Sequence, residues 1–471
     1  MLKVLSSIFV FIVVTQYSNL AFPVSIKIPY IRFSEKEEDK MLDKDKAPDN
    51  SRENKESVDL SQPLTLKQCV QIAITQSPTM RTAKMNLSEE ELNVQDAQSS
   101  YLPEVGVSGG YTFSDNIDFG WEKENYDASL DASYTIWDHG KRKSALAQAK
   151  ARREGEQSRY MRSMQSLIFE VTQAYYSLLE AEKIIAVDEQ LLEQSKQNVE
   201  KVKAFVEAGS AIEADIATAR VQQANSELTL LNDMNNLDLA KANLALIMGF
   251  DPATEIMVID DPDYEKYVKT GLIETEDIFI DDMKSQAFAL RPELKEQKTN
   301  QDILKLAAEL AALERYPRIT AESHYNLRVD DYLRERDALK NYKSWDVMTR
   351  LSFPIFDGGR SLRTVKKAEI ALRKSDESMF ELEQNISLEV RQSYLSFERS
   401  KKSLDIASVQ VEDAKLSLDI VQSRYDLDEA ILLELLDAQA QYASSRINQV
   451  KAFYNYKLAR KSLEKAMGVI Q

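Results

Sequence analysis

An internal duplication limits the folds open to this chain more than any other feature of the sequence. Residues 137–141 (WDHGK) match residues 356–360 (FDGGR), and residues 248–249 match residues 467–468, each 219 positions later. About 110 residues are matched in this way without insertion or deletion. Upstream, the matching prolines lie 214 positions apart (Pro78 with Pro292, Pro103 with Pro317). The chain is therefore a tandem duplication of one unit, and the lack of insertions favours rigid helices within it.

Each copy contains a long proline-free stretch with a seven-residue apolar repeat. The repeat is formed in the first copy by Val171, Leu178, Ile185, Leu192, Val199 and Val206, and in the second by Val390, Phe397, Leu404, Val411, Leu418 and Tyr425. This spacing predicts coiled-coil packing. A break near Gly209 and its counterpart in the second copy predict two antiparallel helical hairpins, residues 138–249 and 357–468. About 65 residues precede each break, enough for a helix on the order of 100 Å long.

Two short segments before each hairpin alternate apolar and polar residues, which predicts strands at about 104–114, 126–136, 318–328 and 344–355. Their length suits tilted strands that cross a bilayer. A β element packed on helices in a soluble protein is the alternative. Four strands cannot close a barrel, and an open sheet edge is not tolerated in lipid. Membrane strands would therefore require several chains to share one barrel.

The N-terminus has the layout of an export signal. One lysine, an apolar run and then small and polar residues predict a signal peptide at 1–22, with an uncleaved anchor as the alternative. Residues 23–61 are predicted to be a charged flexible linker, since 31–60 contain few large apolar side chains. Cys69 is the only cysteine, so no intrachain disulfide can form, and it is expected to pack in a short helix.

The composition argues against several functions. The net charge of −17 disfavours nucleic acid as a partner. The sequence has two histidines, His139 and His324, no glycine-rich phosphate loop and no zinc-ligand spacing, so neither an enzyme nor a cofactor or metal site is expected. Both histidines are expected to be structural or exposed.

Several segments together resemble the TolC-type outer membrane efflux proteins. They are PLTLKQCVQIAITQSPTMRTAK, SSYLPEVGVSGGYTFS, WDHGKRKSALAQAKA, FPIFDGGRSLRTVKKA and LLELLDAQAQY, in order across about 62–468. The resemblance implies a mainly α-helical chain with a membrane β part, in a homotrimer that forms a 12-stranded barrel and an α-helical tunnel. Residues 62–249 and 291–468 would be the two efflux repeats. Residues 250–290, with the C-terminal end, would form an equatorial belt.

The resemblance also implies roles for residues at the hairpin tips. Glu434 and Asp437 lie three apart on one helix face, and Asp215 is the first-copy counterpart of Glu434. They would form rings of carboxylates at the closed periplasmic entrance and favour cations. A solvated acidic helix end is the alternative. The tip residues Gly209, Ser210, Asp428 and Glu429 would dock an adaptor protein, and the second tip lacks the glycine of the first.

The strand-to-helix turn is a further predicted site, formed by Gly140 in the first copy and by Asp357, Gly358 and Gly359 in the second. Glycine occurs in both copies only at the second position, so the backbone is expected to require it at Gly140 and Gly359.

The predicted function is a passive exit duct. It would work with a periplasmic adaptor and an inner-membrane pump of the RND or ABC type, in the outer membrane of a Gram-negative-type bacterium. Drug efflux, metal-ion efflux and protein secretion remain open as its task. A trimeric coiled-coil stalk with a structural or adhesive role is the alternative, and a soluble enzyme has no residues to support it.

Overall fold

A computed structural model describes residues 62–116, 121–270, 280–332, 340–427 and 429–470. The predicted signal peptide, the linker at 23–61 and the tip residue Asp428 lie outside the described residues. In the first copy the elements are α1 (Leu66–Gln76), α2 (Pro78–Ser99), β1 (Glu104–Asn116), β2 (Trp121–Trp137), α3 (Lys141–Glu207) and α4 (Glu213–Met248). Helix α5 (Pro262–Thr270) follows. The second copy contains α6 (Ile280–Leu290), α7 (Pro292–Leu313), β3 (Arg318–Tyr332), β4 (Lys340–Ser352), α8 (Arg360–Asp426) and α9 (Leu432–Ala466).

The helices of the two copies match in length almost residue for residue. Helices α1 and α6 each have 11 residues, α2 and α7 each have 22, and α3 and α8 each have 67. Helix α6 begins 214 positions after α1, the spacing of the matching prolines. This corrects one predicted boundary: residues 280–290, assigned to the equatorial segment, are the counterpart of α1. The second copy therefore begins near residue 280 rather than at 291.

The four strands form one antiparallel sheet in the order β1-β2-β3-β4. Leu130 lies opposite Val107 on one side and Tyr325 on the other, and Tyr325 lies opposite Trp345. The next row contains Ser108, Ser129, Asn326 and Ser344. Because neighbouring residues of a strand point to opposite faces, one face of the sheet is apolar and the other polar. The predicted alternation is confirmed in all four strands.

Polar side chains bond across the strands on the polar face. The hydroxyls of Ser108 and Ser129 are 2.8 Å apart, and His324 Nδ1 lies 2.7 Å from Asp131 Oδ1. Within the described residues, β1 and β4 each have one neighbouring strand only. The sheet therefore keeps two open edges.

The predicted strand bounds needed correction. Strand β4 ends at Ser352 rather than at 355, and it begins earlier, at Lys340. The cause of the early end is Pro354, whose missing N–H cannot join a strand ladder. Its first-copy counterpart is Thr135, and β2 continues past that position through a register shift to Trp137.

The predicted seams form the contacts between the long helices. Of the repeat residues, Val171, Leu178, Leu192 and Val199 are buried in α3, as are Val390, Phe397, Leu404 and Tyr425 in α8. Helix α3 packs against α4 and α8 against α9, as the hairpin prediction requires. Helix α3 also contacts α1, α2, α7 and α9, so it lies at the centre of the helical part.

The end of each hairpin packs tightly on the junction of the two short helices in its own copy. Gly249 has a φ of +88°, and a Cβ added to it would lie 2.5 Å from the carbonyl oxygen of Gln76. Gly468, with a φ of +76°, would place a Cβ 3.2 Å from Arg291. Cys69, in α1, is fully buried as predicted, and burial raises the pKa of its thiol to about 11.

Helix α5 is held against the middle of the helical part by aromatic and ionic contacts. Tyr264 lies with its ring centroid 5.1 Å from that of Phe453, and the Tyr267 hydroxyl donates to the Leu404 carbonyl oxygen at 3.2 Å. Lys457 Nζ lies 3.3 Å from Asp261 and also pairs with Asp263. The segment after the first copy is therefore joined to both α8 and α9.

Candidate functional site

An aspartate closes each strand-to-helix turn. Asp138 accepts hydrogen bonds from the backbone N–H groups of Gly140 (3.1 Å) and Arg142 (3.0 Å), and from Arg142 Nε (2.8 Å). Asp357 accepts from the N–H groups of Gly359 (2.9 Å) and Ser361 (2.8 Å). These bonds satisfy backbone donors that a helix start leaves free.

The two aspartates differ in their surroundings. Burial alone would raise the pKa of Asp138, but the bonds from Arg142 and Gly140 hold that pKa below its usual value. Asp357 is exposed, and hydrogen bonds from Ser361 and the backbone lower its pKa. Both carboxyl groups therefore act in the ionised form, and among the described residues only Asp138 of the two has an arginine side chain as a partner.

The backbone at the second position of both turns is left-handed, the conformation for which glycine was predicted there. Gly140 and Gly359 have φ values of +86° and +77°, a region in which side chains are strained. The first position is also left-handed in both copies: Gly358 has a φ of +62°, and His139 has a φ of +54°. His139 adopts this conformation at an exposed position, where its ring stacks on Tyr316 with centroids 3.9 Å apart.

The first hairpin tip is a tight turn that ends α3 and begins α4. Gly209 has a φ of +79°, and the Ser210 N–H donates to the Phe205 carbonyl oxygen at 2.8 Å. Asp215 accepts a hydrogen bond at 3.3 Å from the N–H of Ile212, just before α4. Its carboxylate therefore contributes to the start of the helix.

The second tip keeps the closing hydrogen bond of the first. The Glu429 N–H donates to the Arg424 carbonyl oxygen at 2.8 Å, which is the counterpart of the bond between Ser210 and Phe205. The Arg424 side chain donates to the Glu429 carbonyl oxygen at 2.9 Å and lies 3.5 Å from Glu434 Oε2. Glu434, one of the three predicted entrance acids, thus has a cationic partner in the same chain.

Glu434 and Asp437 are both exposed in the first turns of α9. Asp437 lines a groove of about 350 Å³ between α9 and α4, together with Thr218, its counterpart in the first copy. The structure brings these two equivalent positions together. It places Asp215 apart from the groove lining, in the capping contact described above.

An apolar cluster joins the two tips across the copies. It contains the buried residues Val199, Val202, Ala219, Tyr425, Leu432, Leu435 and Leu436. At its edge Lys201 of α3 forms an ion pair with Asp426 of α8, and its ammonium lies 5.0 Å from the Tyr425 ring centroid. Lys201 holds the pKa of Asp426 below its usual range. The two hairpins are therefore linked at their tips by packing and by charge.

The sequence did not single out Lys201, Arg424 or Asp426. They lie among the many charged residues that flank the seams, and Lys201 and Asp426 are 225 positions apart in the chain. The only sequence signal for a contact between the tips is the constant offset between the copies, which places the two tips at equivalent points of one repeated unit.

Among the described residues, no helix is both long and apolar enough to cross a membrane. Nor do these residues contain a group of three or more His, Cys, Asp or Glu side chains placed to hold a metal ion.

Comparison with known proteins identifies the family. The profile of the outer membrane efflux proteins matches residues 69–250 and 284–469, which is more than half of the chain and covers both copies. The chain belongs to this family. It is therefore an outer membrane exit duct of efflux or secretion and not an enzyme.

Relatives and solved structures agree with this assignment to the efflux proteins. The outer membrane protein TolC of Escherichia coli K12 is 23% identical over 423 residues, covering 87% of this chain and 83% of TolC. The CusC structure has a TM-score of 0.71 at 17% identity and covers 86% of this chain and 92% of CusC. The CmeC outer membrane channel of Campylobacter jejuni also has a TM-score of 0.71, at 16% identity, covering 86% of this chain and 85% of CmeC.

Proposed function

We propose that three copies of this efflux protein form one closed duct, with a shared 12-stranded barrel and a tunnel of helices that opens at the hairpin tips. The open edges of the four-stranded sheet carry this proposal. A sheet with unpaired edges cannot rest in lipid, whereas β1 of one copy can pair with β4 of the next. The polar face would line the lumen, and the apolar face would contact lipid.

An exposed apolar stripe on α8 supports the trimer. Leu388, Leu395, Val409 and Leu416 lie at multiples of seven residues, on a different face from the buried seam, and all four are more than half exposed. A second heptad stripe on a long helix is typical of a helix with a further coiled-coil partner. In the trimer this partner would come from a neighbouring copy.

The tips would be the periplasmic entrance. Three copies would place three Glu434 and three Asp437 carboxylates around it, and rings of acids favour cations. The pair of Arg424 with Glu434 would reduce the charge of the closed entrance. A periplasmic adaptor would dock at the tip residues 209–210 and 428–429, and an inner-membrane pump of the RND or ABC type would drive transport.

Single-channel recording in planar bilayers tests the proposal. The protein should migrate as a heat-sensitive trimer from the outer membrane fraction and should conduct with a cation preference. The combined change Glu434→Gln and Asp437→Asn should reduce that preference, because it removes all six carboxylates proposed for the entrance. Asp215→Asn is the matched control, since its carboxylate caps α4, and it should leave the preference unchanged.

Each result separates the alternatives. A trimer that does not conduct would favour the coiled-coil stalk. Unchanged cation preference in the double variant would leave the duct intact but would refute the acidic entrance. Absence of the trimer from the outer membrane fraction would refute the proposed assembly.

A further inference from the structure

We propose that Asp188 of α3 and Asp233 of α4 form a proton-binding site in the seam of the first hairpin, and that loss of the proton weakens the contact between these helices. The site lies far along the hairpin from the predicted entrance acids. The proposal concerns one hairpin of one chain and does not depend on the duct or the trimer.

Asp188 occupies a position at which a coiled coil normally places an apolar residue. It follows Ala174 and Ala181 at steps of seven residues and precedes Ser195 and Val202. Only 1% of Asp188 is exposed. Neither of its carboxylate oxygens has a hydrogen-bond partner among the described residues. A buried ionised carboxylate without partners is costly, so this position requires either a partner or a proton.

Two charged groups act on Asp188 from the helices packed against α3. The Asp233 carboxyl group of α4 is near enough to act on it, although the two make no hydrogen bond in the present geometry, and the Lys451 ammonium of α9 acts on it through charge. Asp233 Oδ1 also accepts a hydrogen bond from Asn236 at 3.0 Å. Lys451 itself is exposed and, among the described residues, forms no ion pair with either aspartate. It also acts on Glu180, which lies about two helical turns before Asp188 in α3.

One proton resolves the conflict between the two acids. Two ionised carboxylates repel each other because both are negative, and neither can donate a hydrogen bond. A protonated carboxyl group, in contrast, donates a hydrogen bond to an ionised one. Burial, followed by the contact with Asp233, raises the pKa of Asp188 to about 7, although Lys451 opposes this shift. In the proposed site one proton is shared between the two carboxyl groups.

The second copy shows what the same place looks like without the site. The counterparts of Asp188 and Asp233, 219 positions later, are Ala407 and Ala452, and both are buried. The second hairpin thus fills with two methyl groups the space that the first fills with two carboxyl groups. The chain therefore contains its own reference for any effect of pH on the seam.

The direction of the effect follows from the raised pKa. The folded hairpin holds the proton more tightly than an unfolded chain, in which an aspartate has a pKa of about 3.9. The stabilisation that this site gives the first hairpin is therefore complete below about pH 4, and it is lost as the pH rises through about 7. The second hairpin has no such dependence at this position.

Hydrogen exchange measured by mass spectrometry on the full-length protein in detergent tests the site. Peptides covering 181–195 and 226–240 are compared at pH 6 and pH 8 with their counterparts at 400–414 and 445–459, after correction for intrinsic exchange. With one proton and a pKa of about 7, the first hairpin should lose about tenfold in protection relative to the second. An equal pH response in both hairpins would overturn the proposal.

Three variants sharpen the test. Asp188→Asn keeps a donor towards Asp233 without a titrating group, so the pH response should disappear. The pair Asp188→Ala and Asp233→Ala reproduces the second copy and should give the same flat response, which keeps the test open if the first variant folds poorly. Glu189→Gln removes an exposed neighbouring carboxyl and should behave like the wild type. A wild-type response in either Asp188 variant would also overturn the proposal.

Discussion

The two copies share one scaffold but differ in how deeply their long helices are buried. Helices α3 and α8 are each 67 residues long, yet 20 residues of α3 are buried and only 8 residues of α8. Helix α3 packs against helices of both copies along its length, whereas α8 packs mainly against helices of the second copy, meets α3 at the tips and α5 at Leu404, and leaves an apolar stripe exposed. Equal length therefore does not mean an equal role: α3 organises the single chain, and α8 is available to a neighbouring one.

The comparison also shows where a duplicated unit can diverge. The matching helices agree in length to within one residue, and the closing hydrogen bonds of the tips are the same in both copies. The seam residues, the charged groups of the tips and the arginine at the strand-to-helix turn differ. Side chains that fill space between helices can thus change without a change in helix length, because the backbone geometry of a coiled coil depends on the spacing of the seam.

The largest expected difference between the copies is at the glycines that end the hairpins. We expect Gly249→Ala to cost about 3 kcal/mol, because the residue combines a positive φ with backbone only 2.5 Å from the added Cβ. Gly468→Ala should cost about 1 to 2 kcal/mol, since its nearest atoms lie at 3.2 Å. Thermal unfolding of the purified protein, followed by circular dichroism, compares the two.

Gly155→Ala is the matched control for these variants. Gly155 lies within α3, and an added Cβ would meet only Thr299 at an ordinary distance of 3.6 Å. Alanine is the better helix former, so this variant should be as stable as the wild type or more stable. If Gly249→Ala unfolds at the same temperature as Gly155→Ala, the close packing at Gln76 is not what selects glycine.

A smaller difference is expected at the aspartates of the strand-to-helix turns. Asp138→Ala should cost about 1 to 2 kcal/mol, as for other capping residues, because it removes two backbone bonds and the contact with Arg142. Asp357→Ala should cost less, since Asp357 is exposed and has no arginine partner among the described residues. Unfolding temperatures at pH 7 measure both.

The pH dependence of these variants has a definite sign. The folded pKa of Asp138 lies below its usual value, so its contribution is present above about pH 4 and is lost as the pH falls through the folded pKa. The stability difference between wild type and Asp138→Ala should therefore narrow on acidification. A difference that stays constant down to pH 2 would show that the ionised carboxylate is not the stabilising form.

The sequence was sufficient for the architecture because the architecture is repetitive. The offsets located both hairpins, the seven-residue repeat identified the buried seam, and alternation identified the strands. Gly140 and Gly359 could be singled out because they are the turn glycines shared by both copies. A feature present twice is visible without a structure.

The features that could not be predicted from the sequence occur in only one copy or depend on residues far apart in the chain. The counterpart of α1 was not recognised in residues 280–290, because the two helices share length and position rather than a motif. Pro354 ended β4 earlier than the alternation indicated. Asp188 could not be predicted, because the repeat that reveals the seam consists of apolar residues. The ion pair of Lys201 with Asp426 could not be predicted either, because nothing in the sequence near either residue indicates its partner.

The smallest expected effect on stability is at that ion pair, where the two copies meet. Both side chains are partly exposed, so Lys201→Met should change the free energy of unfolding by less than about 1 kcal/mol.

The same substitution should have a clear effect on the opening of the entrance. The ion pair and the cation–π contact with Tyr425 join α3 to α8 at the tips, which are the proposed entrance. We expect a higher open probability in planar bilayers for Lys201→Met and for Asp426→Asn. Lys203→Met is the control, since Lys203 pairs only with Glu200 of its own helix among the described residues. If Lys201→Met and Asp426→Asn have the same open probability as the control Lys203→Met, the ion pair between the copies does not hold the entrance closed.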